Sequence, residues 1–78
     1  MWYIYILLCC DSSLYTGVTN NVLKRFHQHC IGKGAAYTRS HPPICVVYTQ
    51  RVRTKSRALK REHEIKMLPR SEKIKLIH

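Results

Sequence analysis

Five residues of types that can act on a phosphate ester recur in order along the chain: Tyr5, Tyr15, Arg25, His29 and Glu62. Phenols and an imidazole can take up or relay a proton. A guanidinium offers a planar fork of donors to a non-bridging phosphate oxygen, where charge grows in the transition state. An inward carboxylate can hold a divalent cation that neutralises the scissile phosphate. Each residue also has a plainer reading. Strand tyrosines pack, helical arginines are usually solvated, and His29 can lay its ring beside Phe26. Their joint placement is what points to phosphodiester hydrolysis.

That chemistry sits on a basic body. The chain of 78 residues carries fourteen Lys and Arg against four Asp and Glu, a formal net charge of +10. A field of that sign gathers polyanions, nucleic acid before an anionic membrane. The basic residues spread from Lys24 onward instead of forming a tail. The length predicts a single domain over residues 1–78 with a thin core. The apolar run from Met1 to Cys10 is too short to span a bilayer, which takes about 20 residues. It also lacks the pattern of a secretory leader, so a cytoplasmic monomer with no membrane attachment is expected. Cys9, Cys10, Cys30 and Cys45 show no zinc-ligand spacing with the histidines and are read as reduced, in or near the core.

The elements that must position the five residues follow from periodicity and punctuation. Trp2 to Cys10 reads as a strand apolar on both faces, Asp11-Ser12-Ser13 as a turn, and Leu14 to Thr19 as the second strand of a hairpin. If Tyr5 stands opposite Gly17 or Thr19, Tyr5 and Tyr15 share a face; a one-residue slip separates them. Gly17 would leave space beside a phenol for a phosphate or a backbone. Asn20 or Thr19 is expected to cap a helix through about Ile31, stopped by Gly32, with Val22, Leu23, Phe26 and Cys30 as its apolar stripe. Arg25 and His29, four apart, stack at the margin of that stripe. A loop from Gly32 to Pro43 follows, in which the two prolines bar a helix, and then a strand from Ile44 to Gln50. A second helix is expected from Thr54 to Leu68, ended by Pro69, and a last one over Glu72 to Ile77 capped by Ser71. The fold class is α+β: a three-stranded, mainly antiparallel sheet flanked by helices in the order β-β-α-β-α-α.

Glu62 is the anomaly of the second long helix. On a helical wheel it falls roughly 40° from Ala58 and about 60° from Ile65 and Leu59, inside the apolar arc, whereas Glu64 falls on the far side. A carboxylate facing inward must be paired, protonated or bound to a cation. A salt bridge to Arg25 or Lys66 is one reading, and a divalent-metal ligand is the other.

Taken as an ordered set, Tyr3-Ile4-Tyr5 and Tyr15-Thr16-Gly17, followed by Thr19-Asn20 and Arg25…His29, resemble the GIY-YIG nuclease superfamily. Ala58-Leu59-Lys60-Arg61-Glu62 is similar to that superfamily's metal-carboxylate helix, and the Gly32 to Arg39 segment resembles its small stand-alone bacterial members. The resemblance covers nearly the whole chain. It departs at Tyr3, where glycine would stand, and at Thr16, where isoleucine would stand; Tyr3 is expected to alter access to the site. The resemblance implies a one-metal mechanism with Mg2+ or Mn2+. In it Tyr5 is base or water activator, assisted by Tyr15; Arg25 binds phosphate, Glu62 holds the metal, and His29 takes the position where the family often has His or Tyr. DNA, or nucleic acid generally, is the expected partner, with contacts from Asn20, Lys33, Tyr37, Thr38, Arg39 and Lys66. The alternative is a non-catalytic nucleic-acid-binding module on the same scaffold.

Overall fold

Eight successive residues with no charge and many branched or aromatic side chains belong at the centre of a sheet, and that is where the first strand lies. The computed structural model describes residues 1–77. Strand β1 (Trp2–Cys9) pairs antiparallel with β2 (Leu14–Thr19) on one side and β3 (Pro43–Val52) on the other, giving the order β2-β1-β3. Helices α1 (Val22–Cys30) and α2 (Ala36–Ser40) fall between β2 and β3; α3 (Lys55–Lys66) and α4 (Arg70–Ile77) follow β3. The architecture is therefore the expected α+β sheet with helices, in the expected order, with the short α2 added.

Alternation along β1 divides the labour between the two faces. Ile4 and Ile6 join Ala58 and Ile65 of α3 in the core, with Trp2, Leu14, Val18, Tyr48, Val52, Leu76 and Ile77 around them. Tyr3 and Tyr5, opposite Thr19 and Gly17, take the other face. A bulge on β3 shifts the partner from Tyr48 at Ile6 to Val46 at Leu7. The hairpin turn is closed by Asp11, whose carboxylate accepts from the backbone and hydroxyl of Ser13, with Ser12 at φ 69°.

Several boundaries differ from the sequence expectation for identifiable reasons. Thr19 still pairs with Tyr3, so Asn20 is spent leaving the sheet and Asn21 caps α1, its Oδ1 accepting from Lys24 N at 3.1 Å. The helix stops as expected: Gly32 has φ 79°, and Lys33 N donates back to Gln28 O at 2.8 Å. The stripe on α1 is rotated from the one expected. Leu23 is 81 % exposed and Cys30 is exposed, while the buried residue of the helix is His29. Pro42 and Pro43 lie beyond the end of α2, so they do not bar it. Thr54 caps α3, accepting from Arg57 N at 3.2 Å. In α4, Glu72 N and Lys73 N donate to Pro69 O, so Ser71 sits in the first turn and is not the cap. Of the four cysteines, expected in or near the core, only Cys9 is buried; Cys10, Cys30 and Cys45 are exposed.

Candidate active site

The register decides whether two phenols meet. Tyr5 lies opposite Gly17 and Leu7 opposite Tyr15, so Tyr5 and Tyr15 share a face with ring centroids 6.5 Å apart. A Cβ built on Gly17 would overlap the Tyr5 hydroxyl. The space that glycine leaves is therefore filled by the Tyr5 phenol itself and not kept for a phosphate, because the ring lies across its own cross-strand partner.

His29 comes down onto that phenol from α1. Its side chain is 1 % exposed, with Nε2 2.8 Å from Tyr5 Oη and Nδ1 2.6 Å from Thr38 Oγ1. The Thr38 hydroxyl donates onward to the Ala35 carbonyl at 3.0 Å. Gly34 is the second enabling glycine: a Cβ there would overlap Nδ1 of His29. Tyr15 sets its ring edge-on to His29 at 5.3 Å, and Tyr37 stacks on Tyr15 at 5.8 Å and on His41 at 4.2 Å. The aromatic series thus runs from the buried Tyr5–His29 pair out to the surface.

Burial pushes the Tyr5 phenol up to about 12; the Arg25 guanidinium beside it pulls the other way, and the charges of Tyr15 and Glu62 add to the rise. His29 is held below the usual imidazole range by burial and then by the charge of Arg25. At neutral pH the pair is a neutral phenol against a neutral imidazole. Arg25 is steadied by Gln28, one turn on, whose Oε1 accepts from Nη1 at 3.1 Å.

Glu62 comes from α3, the helix packed on the Ile4 and Ile6 face of β1, and its charge adds the smallest part of the rise at Tyr5. Its side chain is 19 % exposed against 51 % for Glu64, which pairs with Arg61 at 3.3 Å. Glu62 thus sits at the margin of the buried arc, which is centred on Ala58 and Ile65; Leu59, counted in that arc from the sequence, is exposed. Its ion-pair partner is the half-exposed Lys66 at 3.5 Å, not Arg25. No group of three or more His, Cys, Asp or Glu side chains clusters among the described residues. One shielded carboxylate nevertheless suits Mg2+, which keeps several waters and takes the rest of its shell from one or two carboxylates and substrate phosphates.

The residues expected to touch nucleic acid differ in exposure. Lys33, Arg39 and Lys66 are exposed, and Tyr37 is exposed on the aromatic series. Asn20 lines a groove of about 350 Å3 with Tyr3, Asn21, Val22, Leu23 and Thr49, the last of which is the cross-strand partner of Tyr5. Thr38, expected to contact nucleic acid, is 1 % exposed and stands behind His29 instead of offering a surface to a ligand. Sequence reasoning missed Gly34, whose signal was a glycine two residues past the helix stop with no second turn to explain it. It also missed Gln28, legible only as a polar neighbour of Arg25 at helical spacing.

A hairpin that pairs two motif tyrosines, with an arginine and a histidine on the next helix and a glutamate on a later one, is the arrangement of one nuclease class. The GIY-YIG catalytic domain matches residues 1–75. The chain belongs to the GIY-YIG family. Among its relatives are the UPF0213 proteins of Oceanobacillus iheyensis, 53 % identical over 96 % of this chain and 87 % of that one, and of Natronomonas pharaonis, 49 % identical over 96 % and 88 %. The solution NMR structure of the UPF0213 protein BH0048 from Bacillus halodurans is 44 % identical and superposes with a TM-score of 0.62, covering 99 % of this chain and 83 % of that chain. Membership implies nucleic acid as substrate, and nucleases of the family generally use divalent metals. No helix among the described residues is long and apolar enough to cross a membrane.

Proposed function

We propose that the chain is a divalent-metal-dependent endonuclease that hydrolyses phosphodiester bonds in DNA. The observation that carries this reading is the Tyr5–His29 hydrogen bond of 2.8 Å, bordered by Tyr15, with the charges of Arg25 and Glu62 bearing on the Tyr5 phenol. A phenol pushed to about 12 is a poor base alone, and a neutral imidazole against it supplies what it lacks. In the proposed step a water gives a proton to Tyr5 Oη as the phenol's own proton passes to His29 Nε2. The water oxygen bonds to phosphorus, the bond from phosphorus to the leaving sugar oxygen breaks, and that oxygen takes a proton from solvent. The proton on His29 Nε2 then returns to Tyr5 Oη as that hydroxyl gives its own proton to solvent. Arg25 holds a non-bridging oxygen as charge develops on it. Mg2+ or Mn2+ held by Glu62 would supply charge neutralisation at the phosphate.

One observation favours a second reading. Tyr5 is 2 % exposed as a residue, which suits a rigid platform that binds nucleic acid without cleaving it. A panel of labelled duplex, single-stranded and branched DNA, incubated with Mg2+, with Mn2+ and with chelator, separates the two. Metal-dependent cleavage of any member supports the enzyme; binding with no cleavage under every condition supports the platform.

A further inference from the structure

The Tyr5–His29 pair is useful as proposed only if Nε2 of His29 carries no proton, and a neutral imidazole can carry its proton on either ring nitrogen. What stands behind the ring decides between the two. Thr38 Oγ1 lies 2.6 Å from His29 Nδ1 and 3.0 Å from the carbonyl oxygen of Ala35. A hydroxyl has one proton to give and can accept from others, whereas a carbonyl only accepts. Were the Thr38 proton aimed at Nδ1, the hydroxyl oxygen would face the Ala35 oxygen lone pair against lone pair, on a side chain that is buried. With that proton on the Ala35 carbonyl, Oγ1 is left as an acceptor and Nδ1 must be the donor.

We propose that Thr38 is a positioning residue: anchored on the Ala35 carbonyl, its hydroxyl oxygen fixes the proton of His29 on Nδ1 and so keeps Nε2 open to accept the proton of Tyr5. The chain of bonds then has one direction, Tyr5 O–H to His29 Nε2, His29 Nδ1–H to Thr38 Oγ1, and Thr38 O–H to Ala35 C=O. The anchor is rigid because Ala35 is the N-cap of α2 and Thr38 lies in that helix's first turn. Both ends of the relay are also packed against glycines, Gly17 under the phenol and Gly34 under the imidazole, so each ring fills the space that a side chain there would take. When Nε2 takes the Tyr5 proton, the same Oγ1 goes on accepting from Nδ1–H, so the imidazolium forms without losing a bond. This assignment rests on the nuclease reading for its purpose but not for its geometry.

The experiment joins a spectroscopic readout to a kinetic one. Ring-nitrogen NMR of 15N-histidine-labelled wild type should show His29 as the Nδ1–H tautomer at neutral pH. Thr38→Ser should keep that tautomer, and Thr38→Val, of similar shape without the hydroxyl, should move the proton to Nε2. In the cleavage assay Thr38→Val should lower kcat by about 10–100-fold with KM little changed, as removing a partner that orients a functional histidine does, and Thr38→Ser should restore it. An Nε2–H tautomer in the wild type overturns the proposal, as does a Thr38→Val protein that keeps the Nδ1–H form or that cleaves at the wild-type rate. If Thr38→Val does not fold, the wild-type spectrum alone decides. A wild type that shows the Nδ1–H tautomer yet cleaves no DNA refutes the nuclease reading and leaves the role of Thr38 in place.

Discussion

At the scale of single residues, the opposed ionisation of Tyr5 and His29 has a thermodynamic consequence. His29 is depressed in the folded state, so the unfolded chain binds its proton first as pH falls, and stability is lost from about pH 6.5 downward. Tyr5 is raised from 10.0 to about 12, so the unfolded chain loses that proton first and stability falls as pH rises from 10 toward 12. Melting temperature measured across pH should therefore show an acid arm and an alkaline arm. Tyr5→Phe should flatten the alkaline arm and reduce cleavage by about 100-fold or more, since it removes the group that meets the water. An unchanged alkaline arm in that variant would mean that the buried phenol is not what titrates. Gly34→Ala tests the packing behind the relay: its methyl would overlap His29 Nδ1, and it should cost about 1–3 kcal/mol. A Gly34→Ala protein that melts with the wild type would show that the ring is not held there. Tyr5, Tyr15, Arg25, His29 and Glu62 stand out in the sequence because each is of a type with a distinct chemistry. The places of Thr38, expected as a nucleic-acid contact, and of Gly34 were not legible, because they lie in what these residues hold or leave open.

At the scale of elements, hairpin, sheet and helix order were legible because period-two patterning, a turn cluster and caps all agreed. Where the sequence misled, local propensity met a tertiary demand. The apolar residues of α1 pointed to a stripe through Leu23 and Cys30, yet the helix turns Arg25 and His29 toward the sheet, where Tyr5 waits for a hydrogen bond. The Pro-Pro pair spoke against α2, yet the helix ends before reaching it. Thr16 is the element-level departure with a measurable cost. Its Oγ1 is buried on the β2 face that meets α3 and has no hydrogen-bond partner among the described residues. Removing a buried, unpaired hydroxyl without changing shape should stabilise the sheet, so Thr16→Val should gain about 1 kcal/mol in denaturant unfolding. A loss of stability on that substitution would show that the hydroxyl is satisfied in solution.

At the scale of the whole molecule, the charge of +10 is distributed over helices and loop, with Lys33, Arg39, Lys55 and Arg57 all exposed. Binding to DNA should therefore be electrostatic and weakly dependent on sequence, with affinity falling steeply as salt rises, because phosphate contacts release counterions. A flat salt response would count against it. The central claim concerns one carboxylate on this basic body, and it is tested by measuring cleavage of labelled DNA and thermal melting side by side for wild type, Glu62→Gln and Glu64→Gln. Glu62 pairs with a half-exposed lysine, so neutralising it should cost under about 1 kcal/mol of stability. The account predicts cleavage by wild type and Glu64→Gln with Mg2+ or Mn2+, none with chelator, and none by a Glu62→Gln protein that melts near the wild type. Cleavage by Glu62→Gln at the wild-type rate, or a wild type that cuts equally well in chelator, would contradict it.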